Sequence, residues 1–453
     1  MQNTILTFGI IASILAIVFK PKNALIVYLA IVIWFPEYLR VSVGTIDISC
    51  SRIVGTVLLA RCLCNDKLRM KFKWSRLDKA VLLNILVFVG MMIITQPKWS
   101  SIENRAGFAM DTFFAYLITR FIITDKDELR SVIKGVGIVL IPLALLGVAE
   151  AATGWQPFVP LKNLSPWAVV SEESQSNLRW GFTRAIGPFN HPILFGGIFA
   201  LFLPLIYTLR YEKDIWKMSA YALSAVVIAG ALSSMSSGPW VMVMIILFCL
   251  FLEKRKMWVK PILKASIFLA IFIQLFSNRP FYNVIFSYTS LIGGAGYHRI
   301  VLIDYAIKDF GKWWLAGYGG VDPGWGYSLG MQWTDITNEY IMAGVRYGLL
   351  GVIVLCWVLY VSFKSLIKAY KKGKDPYMKS VYWALASLLI AISMVWMSAS
   401  FFGQLTTIFY CFLGFIGSAV LISDKKKIKR RKKQTVDQAY KAKLLQRTAG
   451  ELR

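Results

Sequence analysis

Thirteen apolar segments follow one another almost without pause, and that succession constrains the fold more than any other feature of the chain. They are Ile5–Phe19, Asn23–Tyr38, Ile46–Cys64, Ala80–Thr95, Ala109–Ile123, Val132–Ala151, Ile193–Leu209, Met218–Ala231, Trp240–Leu252, Val259–Phe276, Glu339–Phe363, Val381–Met397 and Gln404–Ile422. A helix rises 1.5 Å per residue, so ~17–25 apolar residues cross a bilayer core, and shorter or tilted segments are accommodated at modest cost. With 57% hydrophobic against 17% charged residues, too little polar surface is available to clothe a water-soluble domain of this size. An all-α polytopic membrane protein with about 12–13 transmembrane helices is expected. Residues 1–422 would form one helical domain and 423–453 a basic cytoplasmic tail. Met1–Phe19 lacks a charged leader and a small-residue cleavage site, so it is expected to stay as a first span.

The formal net charge of +27 does not point to nucleic acid, because the cations bunch between spans. Asn65–Lys79 is one cluster, Lys254–Lys256 a second, Lys364–Lys374 a third, and Lys425–Lys433 a fourth. Alternating the spans puts all four on one side, which the positive-inside rule assigns to the cytoplasm, with the C-terminus. The two larger loops, about 153–190 and 277–338, then face outward. The basic tail reads as an anchor to anionic lipid headgroups. Six cysteines lie in or beside apolar segments without ligand spacing and are expected as buried thiols; neither metal nor cofactor is implied.

Polar chemistry in such a chain has few places to sit, so the interruptions between spans carry the argument. The first outward loop ends Arg179-Trp180-Gly181-Phe182-Thr183-Arg184-Ala185-Ile186-Gly187-Pro188-Phe189-Asn190-His191-Pro192. Arginine offers a permanently charged planar fork that suits diphosphate; Arg179 serves equally as an anchor to lipid phosphate, and Arg184 is the better placed for function. His191, ahead of Pro192, suits either a helix start or proton transfer. Met218–Ala231 and Trp240–Leu252 are short and separated by Ser233–Pro239, where a non-helical break near one membrane face is expected.

In the second loop, Tyr297–Trp314 has the pattern of an amphipathic interfacial helix. Val301, Leu302, Tyr305 and Phe310 would face lipid, and Asp304 and Lys308 would pair on the wet side. His298 and Arg299 open this helix. Gly317-Tyr318-Gly319-Gly320 makes a turn through which backbone approaches a ligand. Trp313, Trp314, Trp325 and Trp333 suit an interfacial belt or stacking on sugar rings. Asp335, Thr337, Asn338 and Glu339, where the chain re-enters the membrane, are either a helix cap or the acceptor side of a reaction centre, and the two are compatible.

Taken in order, these motifs resemble the O-antigen ligase and O-antigen polymerase superfamily of bacterial envelope glycan assembly. The likeness runs through Arg184-Ala-x-Gly-x-Phe-x-His-Pro, the arginine Arg299 opening an outer helix, the Gly317-Tyr-Gly turn, Asn338-Glu-Tyr and Gly348-Leu-Leu-Gly351. The resemblance implies a metal-independent glycosyltransferase in the bacterial plasma membrane that takes a polyprenyl-diphosphate-linked oligosaccharide. An acceptor hydroxyl would displace the diphosphate at the anomeric carbon while arginines hold it. On that basis Arg299, Asp335, Glu339 and Asn338 are the candidate catalytic residues. Arg184, His191, His298, Tyr318 and Thr337 are the candidate substrate contacts. Ligases of this type carry His-Asn where this chain has Thr337-Asn338, which favours polymerase and leaves the general base to Asp335, Glu339 or His298. The serine-rich break reads Ser236-Ser237-Gly238 where Ser-Arg-Gly is common. Membrane lipids, a flippase and a chain-length regulator are the implied partners. The alternatives are a ligase-type transfer of finished glycan and, outside enzymes, a transporter or flippase of lipid-linked saccharide.

Overall fold

A computed structural model of the chain describes residues 2–165, 178–212, 215–289 and 295–422. The expected basic tail and part of the first outward loop lie outside the described residues. Almost everything else is helix. Among the described residues, eight helices are long and apolar enough to cross a membrane: Arg76–Thr95, Lys126–Thr153, Pro192–Tyr211, Ile215–Ser233, Lys256–Phe276, Glu339–Lys372, Pro376–Val395 and Gln404–Ile422. Three shorter apolar helices, Gln2–Val18, Pro21–Trp34 and Ser237–Leu252, accompany them. Burial ranks them by position. The Pro192 helix is enclosed along nearly its whole length, whereas Val259–Phe276 buries no residue and presents an apolar surface all round.

Two expected spans change at their ends. Ile46–Ser49 is not helical but pairs antiparallel with Arg40–Val43, and the helix starts at Cys50 with Ser49 as its cap. Ala109–Ile123 is the second half of a longer run from Trp99 to Ile122, interrupted by a π-helical turn at Met110–Phe114. The serine-rich break is present: Ile215–Ser233 stops, Met235 adopts φ 44°, and Ser237–Leu252 starts afresh. The cysteines divide, with Cys50, Cys62, Cys249 and Cys411 buried but Cys64 and Cys356 exposed on helix surfaces.

The helices join two ends of unlike character. At the basic end, ion pairs lock neighbouring connections: Lys126 to Asp375 at 2.6 Å, Arg130 to Glu212, and Arg210 to Glu253. Asp78 is fully buried there and takes two hydrogen bonds from Arg120, at 2.7 and 3.0 Å, besides one from the Tyr116 hydroxyl. Removing one partner from so enclosed a pair would leave an uncompensated charge. At the opposite end the chain folds its second long loop into a small core of its own, built from Leu302, Ala306, Trp313, Trp325, Ile336 and Val345. The outer helix runs Ala295–Lys308 and ends before Asp309, with a separate turn at Phe310–Trp313. Its apolar face meets this loop core: Leu302 is 1% exposed and so packs inward, against the expectation that it faces lipid. Asp304 accepts from the Tyr282 hydroxyl at 2.7 Å. The indole of Trp313 donates to the Ala306 carbonyl and that of Trp325 to Asp309, so these two tryptophans are loop core, while Trp314 and Trp333 remain exposed.

Candidate functional site

The short connection Trp396–Gly403, between the last two long helices, gathers residues from or beside both of the larger loops. The Asn338 amide donates to the Met397 carbonyl at 2.9 Å, and the Glu339 N–H donates to the Trp396 carbonyl at 2.8 Å. Arg299 donates from Nε to the Ser398 carbonyl at 3.1 Å, Ser400 donates to the Ile336 carbonyl, and Phe401 N–H donates to Glu339 Oε2 at 2.8 Å. Phe402 then sets its ring edge-on to His191 at 6.1 Å, and Gly403 lies against the Glu37 carboxylate. Ser398 and Phe402 are four positions apart, at most ~15 Å along the chain. The Arg299 and His191 sides of the site are therefore tied to one short segment, which carries no charged residue to announce it.

Around His191 the charge is positive. Its Nδ1 accepts the Ile193 N–H at 3.1 Å as the cap of the Pro192 helix, so the ring proton belongs on Nε2. Burial, and then the charges of Arg184, Lys162 and Arg179, push the imidazole down to about 4. At neutral pH it is an uncharged donor and a weak base. Arg184 is 8% exposed and donates to Ser236 Oγ at 3.0 Å, which joins the first outward loop to the serine-rich break. Arg179 donates to the Met235 carbonyl and Lys162 to the Asn190 carbonyl. Behind them Glu150 is fully buried and accepts the Ile186 and Gly187 N–H groups at 2.8 and 3.0 Å, fixing the turn that leads to His191.

On the other side of the connection lies a cavity of about 200 Å³. Three carboxylates reach it, from Glu37, Asp111 and Glu339, with Arg346 beside them and Trp396 and Phe402 among the aromatic walls. Asp111 is supplied by the π-helical turn and is held by a two-point pair with Arg52, at 2.9 and 2.6 Å. Such a turn is frequently found where a helix is distorted to present a functional side chain. Among the described residues, no set of three or more His, Cys, Asp and Glu is grouped as metal ligands.

The remaining candidates fall as follows. Asn338 caps the Glu339 helix, its Oδ1 accepting from the Tyr340 and Ile341 N–H groups, so the cap is real and occupies the amide oxygen. His298 bonds through Nε2 to the Asp335 carbonyl at 2.8 Å, linking the outer helix to the re-entry segment. The Asp335 residue is exposed and Thr337 half-buried. Tyr318 packs edge-on to Trp325 in the loop core. The close approach that the glycine turn permits is to the chain's own backbone. A Cβ on Gly317 would lie 2.6 Å from the Val345 carbonyl, and one on Gly348 would lie 2.6 Å from that of Leu315. Gly348 has φ 72° and ψ −175° inside an otherwise helical run, so Gly348-Leu349-Leu350-Gly351 is a break into which the loop docks. Glu37, Asp111 and Arg346 escaped the reading by motif. The signal for all three was a charged residue inside an apolar segment: Glu37 in Asn23–Tyr38, Asp111 in Ala109–Ile123 and Arg346 in Glu339–Phe363.

No family model matches this chain, and no curated protein matches it.

Proposed function

We propose that the protein is a membrane glycosyltransferase of the polysaccharide-polymerase kind, joining polyprenyl-diphosphate-linked oligosaccharide units on the outer face of the plasma membrane. The observation that carries this reading is one short connection tying together a desolvated arginine, a second cationic cluster and a carboxylate-lined cavity. Arg299 meets a backbone carbonyl, and among the described residues no carboxylate forms an ion pair with it; burial alone lowers its pKa. A half-buried guanidinium without a counter-charge favours an incoming anion, and a diphosphate leaving group gains charge as its bond breaks. Arg184, with Arg179 and Lys162, would hold the same headgroup from the other loop. The donor's anomeric C–O bond breaks, the acceptor oxygen bonds to that carbon, and the electron pair leaves on the diphosphate. The acceptor's proton goes to a carboxylate of the cavity, Glu339 or Glu37. His191, neutral with its proton on Nε2, would donate to a sugar or phosphate oxygen.

The test is reconstitution of the full chain with a polyprenyl-diphosphate oligosaccharide. Longer lipid-linked chains are expected. Arg299→Ala should lose roughly 10²–10³-fold in rate, the scale of one oxyanion-stabilising donor, and Arg299→Lys should recover part of it. Product that forms at an unchanged rate in Arg299→Ala would remove the proposal. Transfer of one finished glycan to a different lipid would select a ligase.

A second reading, a transporter of lipid-linked saccharide, draws on two interruptions beside the cavity: the π-helical turn at Met110–Phe114 and the break at Gly348. Donor that changes leaflet with its glycan unlengthened would favour it.

A further inference from the structure

The basic end contains a cleft that the proposed reaction does not use. It opens where the helix Arg76–Thr95 packs along the helix Glu339–Lys372, and it measures about 430 Å³. Arg76, Lys79, Lys364 and Lys368 line it, and among the described residues no carboxylate does. The nearest acid in sequence, Asp78, is buried and committed to Arg120 and Tyr116. Farther along the same two helices the wall turns apolar, through Leu83, Trp357 and Val361. A second cleft of about 280 Å³ shares Arg76 and Lys368 and extends the basic groove to Lys372.

Several terms make this arrangement unfavourable while it is empty. Lys364 and Lys368, and Lys368 and Lys372, are like charges four residues apart on one helix. Arg76 and Lys79 sit in the first turn of their helix, where the macrodipole repels cations. One anion bridging the two helices reverses both terms. The apolar wall decides which anion: Leu83 is 46% and Trp357 49% exposed within helices of spanning length, so an acyl chain would cover them and a free phosphate would not.

We propose that this cleft binds the phosphate headgroup of an anionic phospholipid between Arg76, Lys79, Lys364 and Lys368, with an acyl chain along Leu83, Trp357 and Val361. The site is independent of the glycosyltransferase reading. It stands or falls by lipid binding alone.

The experiment follows Trp357 fluorescence in the full chain reconstituted in phosphatidylcholine discs, taken as the difference between wild type and Trp357→Phe. Brominated phosphatidylglycerol is expected to quench this component at mole fractions ~10-fold or more below those of brominated phosphatidylcholine, since each cation near the surface contributes about fivefold. Lys79→Gln, Lys364→Gln and Lys368→Gln together should abolish the preference, while the three Lys→Arg changes keep it. Three neutralisations elsewhere at the same end, Lys254→Gln, Arg255→Gln and Lys256→Gln, should also leave it intact. Equal quenching by the two lipids in the wild type would overturn the proposal, a result that needs no variant to fold. So would loss of preference in the Lys254–Lys256 control, which would mean surface potential alone. Displacement of the lipid by millimolar glycerol 3-phosphate would assign the cleft to a soluble phosphate instead and overturn it too.

Discussion

His191 shows how one side chain can serve the fold and the chemistry at once. Its Nδ1 is spent on the Ile193 N–H, and its surroundings hold the imidazole at about 4, below the ordinary 6.5. Between those values the unfolded chain binds a proton that the folded chain does not. The contribution of His191 is therefore complete above pH 6.5 and is lost as pH falls toward 4. His191→Asn keeps a cap acceptor but cannot titrate, so its melting temperature should fall less steeply than wild type from pH 6.5 to 4. Parallel melting curves for the two proteins across that range would refute the assignment. Arg184 is buried and Arg299 half-buried, so each guanidinium is less hydrated than a fully exposed one and a ligand charge would be felt more strongly there.

Among the elements, the Glu339–Lys372 helix carries the most structural information. Its start is written in Asn338, a strong cap, and its basic last turn complements the helix dipole. The break at Gly348 answers to something distant, since it exists to admit the Trp313–Tyr318 segment, where Leu349 N–H donates to the Trp314 carbonyl at 2.7 Å. Gly348→Ala should therefore be severe, combining a left-handed φ with a Cβ 2.6 Å from a backbone oxygen. Gly330→Ala has a matching φ of 72° with open space around it and should cost only the ~1–2 kcal/mol of conformational strain. Thermal unfolding of both variants checks the contrast. Equal losses would mean that the docking of the loop contributes nothing.

For the molecule as a whole, the decisive property is that both larger loops converge on Trp396–Gly403 while the described cation clusters collect at the opposite end. The positive-inside rule predicts an orientation with the candidate site outside. In cells expressing variants freed of native cysteines, Tyr327→Cys should react with a membrane-impermeant maleimide before lysis. Met257→Cys, 81% exposed at the basic end, should react only after permeabilisation. The reverse pattern would place Arg299 in the cytoplasm and remove the polymerase proposal.

What the sequence determined by itself was set by local and one-dimensional terms. Apolar length pointed to the helices, lysine and arginine clusters to a basic end, and short polar side chains at the membrane re-entry to the cap at Asn338. These are legible because each depends on residues within a few positions of one another. Tertiary structure alone decided that Leu302 turns inward, that Gly317 lies against the Val345 carbonyl and Gly348 against that of Leu315, and that Glu37, Asp111 and Glu339 share a cavity. Those pairings join residues tens to hundreds of positions apart, and which polar groups meet across a bundle is settled by helix packing, a three-dimensional fit that no window along the chain records.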